Sequence, residues 1–511
     1  MKRIGQFTLT LITFIILICL KPSQAQEPVN PHASPEAKAL LELFYSLSGQ
    51  YTLTGQHNYP ATRDRNSRFA AEYSGQTPAI WSTDMGFAAE GDYDSYLARP
   101  DIVREAIHQH KKGSIITICW HSVPPTADEP VTFQPRGPFP PDSLATVQGQ
   151  LLDEQFRDVL TPGTLLHKRW EAQVDTVAYY LKQLQEAGVP VLWRPYHEMN
   201  GDWFWWGGRV GEYSTADLYR QLFDRFVNHH HLDNLIWVWN VDRPSTPIRK
   251  FSNFYPGTEY LDIVSLDVYG SDFNRDYYDS LKVLSMGKPM LFGEVGNPPF
   301  PEILDAQPDW TSWVIWAGMV RNTTKKQYKT LYDDPRILTQ DDPAYWEATR
   351  SFREACGLSV LPLKNRYPVD FSGDWLFNED KSELGGAGTG ALPYRMKADQ
   401  DGDILFVSKY NIVEWDDERI NNEEIDLTGG EMKSQAFNAP RISKASWTDD
   451  PGSLTITSTV TFTRSGNTIE MKSSEEWQLA GDGNTLTIHQ ESTGFRGNQI
   501  STALIYEKYG Q

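Results

Sequence analysis

The chain has 511 residues, 40% of them hydrophobic and 22% charged, with a formal net charge of −20. That length suits two to four domains, or one large enzyme domain with a smaller companion, and the composition excludes collagen, low-complexity fibre and wholesale disorder. An acidic chain repels phosphate backbones, so nucleic acid is excluded from the expected partners.

Residues 1–25 read as a cleaved secretory signal. Lys2 and Arg3 form a basic start, an apolar stretch runs from Phe7 to Leu20, and Ser23-Gln24-Ala25 offers small residues for cleavage before Gln26. The apolar stretch is interrupted by threonines and is short for a membrane span. Ile18 before Cys19 is not the small residue a lipoprotein anchor needs. The expectation is an exported protein, whether secreted, periplasmic or at the cell surface, with no transmembrane segment once the signal is removed. Of three cysteines, Cys119 and Cys356 lie outside the leader. They are too far apart for a disulfide framework or a metal-ligand spacing, and are expected as buried free thiols.

From about Glu36 to Cys356 one theme repeats: a short apolar run, then an amphipathic stretch. The runs are Thr52–Tyr59, Pro78–Gly86, Ser114–Ser122, Val189–Asn200, Asn234–Arg243, Leu261–Gly270, Pro289–Gly296 and Trp310–Gly318. Near-continuous apolar runs fit parallel strands covered by helices. Trp170, Val174, Val177, Leu181 and Leu184 recur at helical spacing between two of them. Eight such units predict an α/β fold, a (β/α)8 TIM barrel over residues 33–360. A doubly wound open sheet is the alternative, weakened by the lack of a glycine-rich phosphate loop after the first strand. Val123 to Asp142, after the third run, holds seven prolines and cannot be a helix. On a barrel it is a long loop over the C-terminal face, shaping a cleft or merely decorating the surface.

Past Leu361 strand signals replace helical periodicity. Asp403–Lys409, Ser453–Arg464, Glu476–Leu479 and Asn484–Gln490 read as strands, and Asp482-Gly483 as a hairpin turn. The prediction is a smaller all-β antiparallel barrel or sandwich over residues 366–511, with the boundary near Pro362–Pro368.

Function on such a barrel sits at the C-terminal ends of its strands. The fourth run ends in Tyr196-His197-Glu198-Met199-Asn200 and the seventh in Gly293-Glu294-Val295-Gly296. Glu198 and Glu294 are the only glutamates so placed among the eight runs. Two acids from different strands facing one cleft are what paired-carboxylate catalysis needs, one protonated and one ionised. A single glutamate at a strand end is more often a salt bridge or a cap; the pair, set among Gly, His and aromatic residues, favours chemistry. Asp84, His121 and Tyr269 end the second, third and sixth runs, and His197 reaches the same mouth. Tyr269 is placed to donate a hydrogen bond to the nucleophilic carboxylate. Trp203-Phe204-Trp205-Trp206 reads either as a sugar-stacking platform or as a cluster packing the loop down, and Trp316 is a second platform candidate. No serine elbow, zinc-spaced histidine pair or P-loop occurs.

The block Arg194-Pro195-Tyr196-His197-Glu198-Met199-Asn200-Gly201-Asp202-Trp203-Phe204-Trp205-Trp206 resembles the signature of glycoside hydrolase family 26, the β-mannanase family. Gly55-Gln56-His57, Trp120-His121, Gly293-Glu294, Val314-Ile315-Trp316 and Leu331-Tyr332-Asp333-Asp334-Pro335 match further stations, and the resemblance spans roughly residues 35–355. It implies a (β/α)8 barrel with Glu198 as general acid/base and Glu294 as nucleophile. It also implies that His121, His197, Trp203, Tyr269 and Trp316 line the cleavage subsite. The implied activity is retaining hydrolysis of β-1,4-mannosidic bonds in mannan, galactomannan or glucomannan, with no cofactor and no metal. The alternatives are the same mechanism on β-1,3/1,4-glucan or xylan, or a catalytically inactive glycan-binding protein. The loop after Trp120-His121 departs from the family in length and proline content. In the C-terminal part, Phe371-Ser372-Gly373-Asp374-Trp375 with the later hairpins looks like small lipocalin-like β domains of exported proteins, with no ligand implied.

Overall fold

A computed structural model describes residues 27–511 apart from 90, 93–94, 136–142, 364–366, 386–391, 414–415, 437–438, 449–451, 465–466, 494–498 and 510–511. The leader therefore lies outside the described residues. The chain divides into two compact units after Leu358.

In the first unit eight parallel strands close into a barrel: β1 (Gly55–Asn58), β2 (Ile80–Asp84), β3 (Ile115–Trp120), β4 (Val191–Pro195), β5 (Leu235–Asp242), β6 (Ile263–Val268), β7 (Met290–Val295) and β8 (Trp310–Ile315). Each pairs with the next, and β8 returns to β1 through Gln56 opposite Ile315. Every residue of these strands is buried, because helices cover the outside and side chains fill the inside. All eight strands fall inside the eight apolar runs.

The helix Leu165–Glu186 shows how the sequence builds the outer layer. Thr164 caps it by accepting from the His167 amide, and Trp170, Val174, Val177, Ala178, Leu181 and Leu184 make one buried stripe. Each fully buried side chain of this size contributes about 1.5–3 kcal/mol relative to exposure.

The described part of the proline-rich loop after β3, residues 123–135, meets the loops at the C-terminal face. Val131 N donates to Phe87 O at 2.8 Å, Thr132 bridges to Thr146, and Gln148 bridges to Phe204. Gly149 N donates to Trp203 O at 2.9 Å. The loops after β2, β3 and β4 are thus laced together by main-chain bonds, and Phe133 is placed 5.7 Å, centroid to centroid, from His121.

The second unit is one antiparallel sheet of ten strands: β9 (Gly373–Phe377), β10 (Arg395–Asp401), β11 (Ile404–Val413), β12 (Asp416–Asp426), β13 (Glu431–Ala436), β14 (Ala439–Trp447), β15 (Ser453–Arg464), β16 (Asn467–Leu479), β17 (Thr485–Thr493) and β18 (Gln499–Lys508). The order β12-β11-β10-β9-β18-β17-β16-β15-β14-β13 makes a nearly closed barrel. Its apolar filling includes Trp375, Leu405, Ile456, Trp477 and Tyr506. Further along the same inner faces runs a buried ion network, in which Lys409 reaches Glu475 at 3.1 Å and Glu423 at 3.3 Å, and Arg441 pairs with Glu423. Removing one partner would strand a charge in low dielectric, so these four residues fix the register of their strands.

One expectation is corrected. Cys119 is buried, but Cys356 is only half-buried, because it caps the C-terminus of the helix Pro343–Ala355 instead of sitting on its inward face.

Candidate active site

Two devices deliver the two glutamates. Beyond Pro195, both Tyr196 (φ +47°) and Glu198 (φ +49°) adopt left-handed backbone, a region that costs a non-glycine residue of order 1–3 kcal/mol and persists only where neighbours over-determine it. Those neighbours are present. Glu198 N donates to Asn240 Oδ1 at 2.7 Å, and the Tyr196 hydroxyl accepts from Trp170 Nε1 at 2.9 Å. On the other side, the β6–β7 register slips at Gly293, so that Leu266 faces Phe292 but Asp267 faces Glu294. A bulge of this kind re-aims a side chain. Only glycine fits there, since a Cβ on Gly293 would meet Ser265 Oγ at 2.6 Å and Asp267 Oδ1 at 2.7 Å.

The result is a buried carboxylate cluster. Oxygens of Glu198, Asp267 and Glu294 all lie within 4.8 Å of one another. Arg194, fully enclosed on β4, donates to Glu294 Oε1 at 2.6 Å and to Asp267 Oδ2 at 3.1 Å. Tyr269 donates its hydroxyl to Glu294 Oε2 at 2.6 Å. Asn240 Nδ2 donates to Asp267 Oδ1 at 2.7 Å. Glu294 is therefore gripped by a cation and a phenol. Glu198 has one indole, Trp203 Nε1 at 2.7 Å. Burial, then the charges of Glu294, Asp267 and Asp242, push Glu198 well above the usual carboxylate range, against the pull of the Trp203 bond. Burial and the adjacent Glu294 likewise drive Tyr269 upward, so its proton stays available for donation.

Aromatic and imidazole rings wall this cluster. His197 Nε2 stands 3.7 Å from Glu294 Oε1, and its ring meets His121 edge-on at 4.3 Å. His121 Nδ1 bonds Asp84 Oδ2 at 2.8 Å. Burial raises Asp84, but the His121 charge and hydrogen bonds with the Gly86 and His121 amides outweigh it and hold the carboxyl below its ordinary value. Trp316 is half-exposed and stacks flat on His57 at 3.9 Å. Burial first, aided by Arg194 and His121 and opposed by Asp84, pushes His57 down to about 3. Burial, with His121 and Arg194, lowers His197 as well. Two ring nitrogens, His197 Nδ1 and His57 Nε2, are buried with no hydrogen-bond partner among the described residues.

All eight residues singled out in the sequence are thus gathered at one barrel mouth. The aromatic run divides its labour. Trp203 is half-buried and touches Glu198, whereas Trp205 and Trp206 are wholly buried and bond the carbonyls of Ser122 and His197 at 2.7 and 2.9 Å. Phe204 stacks on Trp206 at 4.4 Å. Arg194, Asp267 and Asn240 were not singled out. Their signal was available: each is a polar residue inside a largely apolar strand, where a buried polar group must be paired.

A family model for glycosyl hydrolase family 26 matches residues 29–342. The chain belongs to this family. It is a glycoside hydrolase, and its first unit is the family's barrel. It is 32% identical over 334 residues to a mannan endo-1,4-β-mannosidase of Thermothelomyces thermophilus, a match covering 62% of this chain and 63% of that protein. Among solved structures, the family 26 protein GH26A from Muricauda sp. is 41% identical with a TM-score of 0.55, over 61% of this chain and 98% of that one. The Podospora anserina GH26-CBM35 β-(1,4)-mannanase is 28% identical with a TM-score of 0.52, over 64% and 69%. The chain thus spans less than two thirds of the Thermothelomyces protein's length. Among the described residues no helix is long and apolar enough to cross a membrane.

Proposed function

We propose that this hydrolase cleaves β-1,4-mannosidic bonds with retention, by double displacement. Glu294 attacks the anomeric carbon while Glu198 gives its proton to the departing glycosidic oxygen. The carbon–oxygen bond to the leaving sugar breaks as the bond to Glu294 forms. Glu198, now a carboxylate, takes a proton from water, which attacks the same carbon and frees Glu294. The observation that carries this reading is the unequal pair: oxygens of Glu198 and Glu294 lie within 4.8 Å, one pushed toward its neutral form by burial and the other gripped by Arg194 and Tyr269. Retaining enzymes set their carboxyl groups about 5–5.5 Å apart, and inverting ones about 6.5–9.5 Å. The two unpartnered imidazole nitrogens and the half-exposed face of Trp316 suit the hydroxyls and the flat side of a pyranose. Mannan as the polymer is supported by the names of the relatives, and export by the basic-then-apolar leader.

The deciding experiment is product analysis on linear mannan, galactomannan, glucomannan, lichenan and xylan, with Glu198→Gln as control. A ladder of manno-oligosaccharides is expected, reduced by about 10²–10⁴-fold in the control, the usual worth of a general acid. Release only from lichenan or xylan would keep the mechanism and overturn the substrate. Silence on every polymer would leave a glycan-binding protein.

The pH profile of kcat/KM follows with its sign. Glycosylation needs Glu198 protonated, and its folded value is raised, so activity on unactivated glycans persists well above the ordinary carboxylate range before falling. A profile already falling near pH 4 would sink the assignment of Glu198 as the acid.

A further inference from the structure

Arg249 lies after β5, in the short 3-10 turn Pro247–Arg249. Its guanidinium carbon sits 5.3 Å from the centroid of the Trp203 ring. Three contacts hold it there. Its Nη2 donates to the Asp202 carboxylate, its Nη1 to Ser245 Oγ at 2.9 Å, and its carbonyl accepts from Asn200 Nδ2 at 3.1 Å. Asn200 and Asp202 belong to the loop that carries Glu198, so the clamp closes on that loop. Trp203 completes the line by donating Nε1 to Glu198 Oε2 at 2.7 Å.

We propose that Arg249 is a positioning residue that acts on Glu198 through Trp203. A cation over the indole face is attracted by the ring quadrupole, which fixes the ring. It also draws electron density from the N–H and strengthens that bond to the ionised form of Glu198. The inference rests on reading Glu198 as the acid/base. The other groups around Glu198 push the opposite way: Glu294 from β7, Asp267 from β6 and Asp242 from β5 all disfavour its charge, as does burial, while Tyr269 spends its proton on Glu294. Trp203 is the counterweight, and Arg249 is what loads it. The position suits a second role, since Glu198 must alternate between acid and base in successive steps. A carboxyl raised without limit would be a weak acid toward the departing oxygen and would take up a solvent proton before the water step.

The test compares wild type, Arg249→Gln and Arg249→Lys, each as the full chain with a melting temperature measured as a fold control. A cation stabilises a nearby carboxylate, so its loss raises Glu198 further. The alkaline limb of kcat/KM on mannopentaose is expected to move up by roughly 0.3–0.7 pH unit in Arg249→Gln, the size of an exposed cation–π contact. Arg249→Lys is expected to recover most of that shift. On a dinitrophenyl β-mannobioside, whose leaving group needs no proton, kcat/KM should change by less than about twofold. An unshifted limb, or equal losses on both substrates, would overturn the inference while leaving the catalytic reading intact. A wild-type limb that does not depend on Glu198 would overturn both.

Discussion

Glu294→Ala is expected to lower kcat on mannan by on the order of 10⁴-fold or more, because removing a covalent nucleophile forfeits the whole first displacement. Substrate binding should survive, since the rings proposed to hold a sugar keep neighbours other than that carboxylate: Trp316 rests on His57, the His197 ring on Phe204 and Trp206, and His121 on Asp84. Titration of mannotetraose into the variant should give an affinity within a few-fold of the KM-derived value. The cavity left by the carboxylate invites a small external anion. Azide added to Glu294→Ala with an activated aryl mannoside should restore turnover and yield the α-configured glycosyl azide. A variant that still cleaves mannan at the wild-type rate, or an azide product of β configuration, would refute the assignment.

Arg194→Met should be nearly as damaging, by a different route. Among the described residues Arg194 is the single Lys or Arg bonded to the group formed by Glu294, Asp267 and Glu198. Burial opposes its charge, but Asp267 and Glu294 more than compensate and hold its proton above even the usual guanidinium range. Truncating one member of a buried ion cluster costs about 3–5 kcal/mol, because the surviving charges stay buried and uncompensated. For a barrel of this size that lowers the melting temperature by on the order of 10 °C. Adding Asp267→Asn removes one stranded carboxylate and should return part of the lost stability while leaving the enzyme inactive. Thermal melts of the single and double variants check this. Arg194→Met melting alongside wild type would show that the cluster keeps a proton in Arg194's place.

The barrel was legible because most of its strands are largely apolar, as burial on both faces favours, and the strand ends could be read directly for Glu198 and Glu294. What the sequence did not disclose is how the pair is made unequal. Arg194 stands inside the recognised block with no role legible from the sequence, and Asp267 is one of two polar residues in Ile263-Val264-Ser265-Leu266-Asp267-Val268. Their meaning depends on which face of the strand they occupy, and the bulge at Gly293 shifts that face by one residue. No pattern of period two survives such a slip. The second unit shows the opposite limit. Its hairpin at Asp482-Gly483 was readable from turn chemistry, and Gly483 does take φ +73°. The strand count was not readable, because alternation breaks where Lys409, Glu423, Arg441 and Glu475 replace apolar residues on the inner faces. Arg249 illustrates a third case: a surface arginine in a proline-flanked turn carries no local mark of what it stacks upon.

The left-handed backbone at Glu198 has a consequence for descent. A glutamate in that conformation is tolerated while hydrolysis is selected, and nothing about the turn itself favours it. Asparagine, aspartate and glycine visit the region at far lower cost. Were selection for cleavage to lapse in a lineage, drift at this position would run toward those residues and would gain stability as it went. A binding protein descended from such a barrel would carry asparagine or glycine at the position of Glu198.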